Sequence, residues 1–237
     1  MVEMRAKDDR NRLIKMFETL SLKCAMETEK FMFEDGKATV SARSEDHVAG
    51  IAGWWELEEM TGSASATVPI LLVIRELKKL APGPVEMAIK DDYIKFKTQR
   101  KSKRIKLRED AGTVKLPSDL GWSLLATMES EEISSFAKDG EGLSFPVWRF
   151  SFQDGKIRGV VGNIDEDMIS TRMIFTADIK KSDEPFTVST TAMFPEVASI
   201  LSGKVEVMLG EKLPLVFRVK EEDKEFTVMI APYVEET

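Results

Sequence analysis

Cysteine and histidine are almost absent from this 237-residue chain, which holds one of each, Cys24 and His47. A single cysteine excludes an intramolecular disulfide framework and any multi-cysteine zinc site, and a single histidine excludes multi-histidine metal centres. No apolar run approaches the ~20 residues that span a bilayer. The opening residues Met1-Val-Glu-Met-Arg-Ala-Lys-Asp8 have no apolar signal-peptide core. The expectation is an intracellular protein without a membrane partner. Nor is there an overall excess of positive charge: 34 Lys and Arg face 41 Asp and Glu, a net −7, which argues against a simple cationic nucleic-acid binder. What is present is a 43% hydrophobic, 32% charged composition that can build a core and excludes wholesale disorder.

The charge is unevenly distributed. Residues 1–118 hold 22 Lys and Arg against 19 Asp and Glu, a balance of +3, and residues 119–237 hold 12 against 22, a balance of −10. Such asymmetry is either accidental or marks two surfaces that meet across subunits. The chain also repeats itself. Phe31-Met-Phe-Glu-Asp-Gly-Lys37 recurs as Phe150-Ser-Phe-Gln-Asp-Gly-Lys156, with five of seven residues identical at an offset of 119, and Gly83–Ile89 recurs more weakly as Gly203–Leu209 at 120. Two matches at half the chain length point to a duplicated domain. Each Asp-Gly reads as a hairpin turn.

Periodicity predicts two copies of one α+β unit. In the first, Asp8 or Asp9 caps a helix with Leu13, Phe17 and Leu20 on its apolar stripe. Strands follow at 30–33, 39–42 and 48–57, then a connection over 58–66. A second helix buries Ile70, Ile74 and Leu77 and is stopped by Pro82-Gly-Pro84. Strands at 85–89, 93–99 and 104–108 close the unit. The second copy reads as helix 130–138, strands 148–152, 156–161 and 169–179, helix 193–201, then strands 205–209, 215–219 and 225–230. The division is residues 1–111, a linker 112–121 punctuated by Gly112, Pro117 and Gly121, and residues 122–237. Each domain is expected to lay two helices on antiparallel sheets.

Catalytic chemistry is hard to find. Asp139-Gly-Glu-Gly142 lacks the strand–Gly–helix context and the lysine of a phosphate loop. Cys24 reads as a structural thiol rather than a nucleophile, and His47 as a surface or pocket residue rather than a general base. Carboxylate runs such as Glu129-Ser-Glu-Glu132 and Glu221-Glu-Asp223 read as solvated faces. The chain is expected to be a non-enzyme without metal or cofactor. A binding reading rests on cations beside the helical stripes: Arg12, Lys15 and Lys23, then Arg75, Lys78 and Lys79. Such residues attract phosphates without reading base sequence, although they also serve as ordinary solubilising charge. The segment Lys95–Arg108 carries eight basic residues in fourteen positions. It reads as a hairpin that lines DNA, meets an acidic partner or protects an edge strand.

The end of the chain, Leu213-Pro-Leu215 followed by Val228-Met-Ile-Ala-Pro-Tyr-Val-Glu-Glu236, resembles the tail of sliding clamps of the proliferating-cell-nuclear-antigen (PCNA) type. Glu34-Asp-Gly36 and Ser41-Ala-Arg-Ser-Glu-Asp-His-Val48 are similar to a further clamp segment. The half-chain duplication and the helix–strand order extend the resemblance over most of the chain. Short length and sparse cysteine look most like archaeal or virus-encoded members.

The resemblance implies the DNA-clamp fold and a ring of three subunits, homotrimeric or heterotrimeric, encircling double-stranded DNA without sequence preference. Such a processivity factor tethers DNA polymerase and other replication and repair proteins that carry a clamp-binding motif, and a clamp loader places it on DNA. Its location would be the cytoplasm, at the nucleoid or, for a virus, at the host replication site. Channel residues would be Arg12, Lys15, Lys23, Arg75, Lys78, Lys79, Lys138 and Lys204, with the second-half helices less basic because Glu129, Glu131 and Glu132 crowd the third. The partner-peptide pocket would fall on His47, Val48, Leu116, Pro117, Met229, Ala231 and Pro232; Leu116-Pro117 reads equally as a linker packing down. Arg43 and Gly50 stand where the family pocket is more often apolar. Subunits would join through Arg104, Lys106 and Arg108 of one copy and Ile174, Thr176 and Asp178 of the next. Alternatives of other classes are a monomeric polymerase accessory and a DNA-independent interaction scaffold with the same fold.

Overall fold

Asp9 closes one element and opens the next. In the computed structural model, which describes residues 4–23, 25–110, 112–117, 120–163, 169–182, 185–191 and 193–233, strand β1 (Met4–Asp9) runs directly into helix α1 (Arg10–Leu20). The Asp9 carboxylate accepts the backbone N–H groups of Asn11 and Arg12, satisfying donors that a first helical turn leaves open. Leu13, Met16, Phe17 and Leu20 recur at helical spacing and are buried. The Ser21 hydroxyl donates to the Phe17 carbonyl at 2.6 Å, and Leu22 and Lys23 turn the chain at positive φ.

The elements then follow as β2 (Thr28–Glu34), β3 (Lys37–Arg43), β4 (Ala49–Glu56), β5 (Glu59–Gly62), β6 (Ala64–Pro69), α2 (Ile70–Lys78), β7 (Pro84–Lys90), β8 (Tyr93–Lys97) and β9 (Ser102–Lys106). The second half is β10 (Leu124–Glu129), α3 (Ser130–Lys138), β11 (Pro146–Gln153), β12 (Lys156–Asn163), β13 (Ile169–Ile174), β14 (Ala177–Ser182), β15 (Phe186–Thr190), α4 (Phe194–Ile200), β16 (Lys204–Leu209), β17 (Leu215–Lys220) and β18 (Lys224–Ile230). Both halves read strand, helix, five strands, helix, three strands. Two compact units result: the first adds Glu221–Phe226 to the N-terminal half, and the second joins Asp46–Gly50 to Pro117–Lys220 and the residues from Thr227 onward.

Strand order repeats with element order. The first unit carries the orders β5-β1-β7-β8-β9 and β4-β3-β2-β6; the second carries β14-β10-β16-β17-β18 and β13-β12-β11-β15. Strand pairs are antiparallel, as the hairpin turns require. Asp35-Gly36 and Asp154-Gly155 both adopt positive φ, which is why the repeated heptapeptides keep Asp-Gly.

Aromatic rings fill both cores at matching places. Phe17 of α1 meets Phe31 edge-on at 5.4 Å, and Phe136 of α3 meets Phe150 edge-on at 5.3 Å. Both pairs are related by the 119-residue offset. The second core is richer: Phe175 and Phe194 also meet Phe136, and the buried Trp148 indole N–H donates to the Phe136 carbonyl at 3.1 Å. Such ring pairs contribute about 0.5–1.5 kcal/mol each beyond their buried area.

Several expectations need correction. The connection over 58–66 contains β5 and the start of β6, and strands β1, β10 and β15 were not anticipated. Strands β5 and β6 are rich in Ser, Thr, Ala and Gly, so their alternation is weak; β1 turns Ala6 and Asp8 inward, which hides its apolar face. The strand expected over 169–179 is two strands in different sheets. Between them Phe175 turns into the core against Phe136 and Phe150 while its N–H donates to the Ile157 carbonyl. Cys24, the linker residues 111, 118 and 119, and the tail from 234 onward lie outside the described residues.

Candidate nucleic-acid interface

Helices α1 and α2 each bury one side and present the other to solvent. On α2, Ile70, Val73, Ile74 and Leu77 take the inner positions, which leaves Arg75, Lys78 and the capping Lys79 exposed. On α1 the exposed cation is Lys15, with Lys23 just past the helix end. Two carboxylates thread this face. Glu18 accepts from Lys78 at 3.0 Å and lies 3.9 Å from Lys23. Glu76 accepts from Lys79 at 2.5 Å and from Lys103 at 2.9 Å, with Arg75 at 3.6 Å. These lysine hydrogen bonds, Lys79 first and then Lys103, hold the Glu76 carboxyl down at about 2. Lys15, Lys23, Arg75, Lys78, Lys79 and Lys103 thus outnumber Glu18 and Glu76, and the face is positive. Lys15 makes no ion pair among the described residues.

Arg12 is different. Its guanidinium donates to Asp8 at 2.7 Å and to Asp223 at 3.1 Å, and its side chain is 23% exposed. Burial pushes the Asp8 carboxyl up, against the pull of Arg12. Arg12 therefore holds a buried carboxylate and has little charge left to offer a phosphate. Lys103 is the converse, a cation on the helical face that sequence reasoning had placed only within a basic hairpin. The register was the available signal: Lys103 lies opposite the buried Phe96, so it points toward α2 rather than outward.

The helices of the second unit carry little charge of one sign. On α3 the exposed residues are Glu131, Ser135 and Lys138, and Glu132 accepts the Thr176 N–H at 2.8 Å. On α4 only Ser199 is fully exposed. Lys204 opens β16 directly across from Glu129.

Of the expected peptide pocket, the structure joins Val48 and Ala231, whose N–H donates to the Val48 carbonyl at 2.7 Å. His47 beside them is exposed at positive φ, with Met229 and Pro232 half-buried nearby in sequence. Leu116 is half-buried in the first unit, where Val114 is held to Ser41 of β3 by the Val114 N–H and by the Ser41 hydroxyl, while Pro117 is exposed. Pro232 also lines a separate cleft of about 360 Å³ with Arg149, Ser189, Lys212 and Tyr233; Tyr233, whose N–H donates to the Ser189 carbonyl, was not anticipated.

The expected subunit edges are sheet edges, but not one pair of strands. Arg104 and Lys106 lie on β9, the last strand of its sheet, and Arg108 follows it, its N–H donating to the Thr67 carbonyl. Ile174 ends β13, also an outer strand, and is 59% exposed. Thr176 falls in the break after it, and Asp178 lies on β14 at the edge of the other sheet, because Phe175 redirects the chain. Among the described residues there is no cluster of His, Cys, Asp and Glu able to hold a metal ion, and no helix long and apolar enough to cross a membrane.

Neither a protein-family model nor a curated protein matches the chain by sequence. Solved structures do match it by fold. The crystal structure of proliferating cellular nuclear antigen from Entamoeba histolytica superposes with a TM-score of 0.82 at 18% identity, covering 99% of this chain and 100% of that one. A chain of the PCNA2–PCNA3 complex from Sulfolobus tokodaii gives 0.79 at 14% identity, covering 98% and 100%. Four helices on antiparallel sheets among the described residues, the duplicated strand order and a match over nearly the whole of both chains agree: this chain has the clamp fold of PCNA.

Proposed function

We propose that the chain is a sliding-clamp subunit, three copies of which close head to tail around duplex DNA. What carries the reading is the end-to-end match to PCNA structures; the exposed cations of α1 and α2 supply the chemistry. Lys15, Lys23, Arg75, Lys78 and Lys79 face the phosphates of the enclosed duplex, with Lys138 and Lys204 as minor contributors from the second unit. Long flexible cations suit this task because they contact backbone without reading bases. Weak contacts suffice, since a closed ring prevents escape by diffusion. The outer strands β9 and β13, each with an unpaired side, join successive subunits through Arg104, Lys106 and Ile174. DNA polymerase, a clamp loader and other proteins with a clamp-binding motif dock near His47, Val48, Met229, Ala231 and Pro232, against Leu116 and Pro117 of the linker.

Retention on DNA of defined topology tests this. Protein assembled on nicked circular duplex is expected to stay bound through gel filtration and to be lost when the circle is cut, because a ring slides from free ends. Lys15→Glu/Lys78→Glu/Lys79→Glu should reduce loading. Equal retention on circular and linear duplex, with a steep salt dependence, would instead support a monomeric electrostatic accessory. No retention on either form would favour a DNA-independent scaffold.

A further inference from the structure

The solvent-facing side of the β5-β1-β7-β8-β9 sheet carries a concentration of charge that the helical face does not use. Residues paired across antiparallel strands share a face, so the register sorts these side chains into rows. The middle row runs Thr61, Arg5, Ala88, Lys95, Arg104 across the five strands. To one side, Glu59, Lys7, Glu86 and Lys97 alternate in sign and neutralise each other, with Lys7–Glu59 at 3.1 Å and Lys97–Glu86 at 3.5 Å. To the other side, Lys90, Tyr93 and Lys106 form a third row. Among the described residues, both carboxylates in these rows, Glu59 and Glu86, are therefore already engaged. Arg5, Lys90, Lys95 and Lys106 make no ion pair among the described residues.

This arrangement costs stability on its own. Lys95 and Arg104 sit directly opposite each other, a like-charge cross-strand pair. Arg104 is held by the Tyr93 ring, 4.2 Å from its centroid. Ala88 leaves the middle of the row low, so Arg5, Lys90 and Lys95 stand around an open cleft of about 550 Å³, whose lining also takes in the Lys7–Glu59 and Lys97–Glu86 pairs.

The geometry points to a binding site for the phosphodiester backbone of a single nucleic-acid strand. The charge is complementary, and the donors are long-stemmed lysines and arginines that follow a backbone without reading bases. An acidic protein segment fits less well: of the apolar residues that line the cleft, Ala6 and Met87 are buried, Ala88 is small and the Tyr93 ring is held by Arg104, which leaves little for an anchor residue to enter. The residues that line the cleft run from β5 to β8, three strand spacings or ~14 Å. A recess of that width takes one backbone along its floor, whereas a rigid duplex meets only its rim. The site lies on the opposite side of the sheet from α1 and α2, and the inference does not depend on ring closure.

The test is fluorescence anisotropy of a labelled oligothymidylate with the full-length protein between about 50 and 200 mM salt. Binding is expected, with log affinity falling linearly against log salt. Arg5→Gln/Lys90→Gln/Lys95→Gln removes three phosphate contacts. At ~0.7 per contact the slope should fall by about 2 and low-salt affinity by about tenfold or more. Lys15→Gln/Lys78→Gln/Lys79→Gln, on the helices, should leave oligothymidylate binding unchanged while weakening loading on circular duplex, which separates this site from the channel. No oligothymidylate binding by the native protein, or a native slope in the sheet variant with an unchanged melting temperature, overturns the inference. So does equal competition by polyglutamate, which would assign the face to an acidic protein.

Discussion

Glu29 is a carboxyl group buried in the core of the first unit, and replacing it should stabilise the protein. The residue lies on β2 opposite Val68, one position-pair from Phe31, on the face turned into the core. It is 1% exposed, and neither carboxylate oxygen has a hydrogen-bond partner. Its neighbour Lys30 points to the other face and pairs with Asp110 at 2.8 Å. Burial pushes the Glu29 carboxyl well above its ordinary value of 4.5, so the folded chain holds a proton that the unfolded chain releases. The group therefore favours folding most below pH 4.5, and stability falls as pH rises above that value until the folded-state pKa is passed. Each pH unit inside this window costs about 1.4 kcal/mol, a sizeable part of a typical 5–15 kcal/mol domain stability. Glu29→Gln has no such proton to lose. Urea unfolding followed by tryptophan fluorescence from about pH 5 to 7 should show the native protein losing stability relative to Glu29→Gln as pH rises. Glu29→Met, which also removes the orphaned oxygens, should be more stable than both at pH 7. Parallel stability profiles for native protein and Glu29→Gln would refute the reasoning.

Arg12→Ala should cost about 3 kcal/mol in urea unfolding, because it strands the buried Asp8 carboxylate without its cation; Asp8→Asn in the same chain should recover much of the loss. Gly53→Ala should destabilise by about 1–3 kcal/mol, since its Cβ would run into the Glu225 carbonyl oxygen and the Phe226 Cα, backbone atoms that cannot rotate away. Glu76 is held near 2, so the stabilisation from its lysine pairs is present above its ordinary 4.5 and is lost as pH falls through about 2. Glu76→Gln should abolish that acid-side component in unfolding titrations and should strengthen duplex binding by removing one negative charge from the helical face.

Helices were legible because Leu13–Phe17–Leu20 and Ile70–Ile74–Leu77 repeat at the helical period, and the duplication because Phe31–Lys37 recurs at Phe150–Lys156. Strands that owe their existence to partners were not. Strand β1 carries Ala6 and Asp8 on its inner face, and its position depends on β5 and β7 rather than on its own alternation. Within the candidate interface, composition located the cations but not their engagement. Arg12 and Lys15 are equivalent in a sequence stripe, yet one closes ion pairs with residues four and 211 positions away and the other is exposed and makes no ion pair among the described residues. The Lys95–Arg108 run looked like one basic feature. The sheet splits it, sending Lys103 toward α2 and Lys95 and Arg104 outward.

Closure into a ring is the claim on which the proposed function stands, and the mass of the native full-length protein tests it most directly. Light scattering coupled to gel filtration at low salt and micromolar concentration should give the mass of three 26.7 kDa subunits. A single 26.7 kDa subunit at every concentration would contradict it.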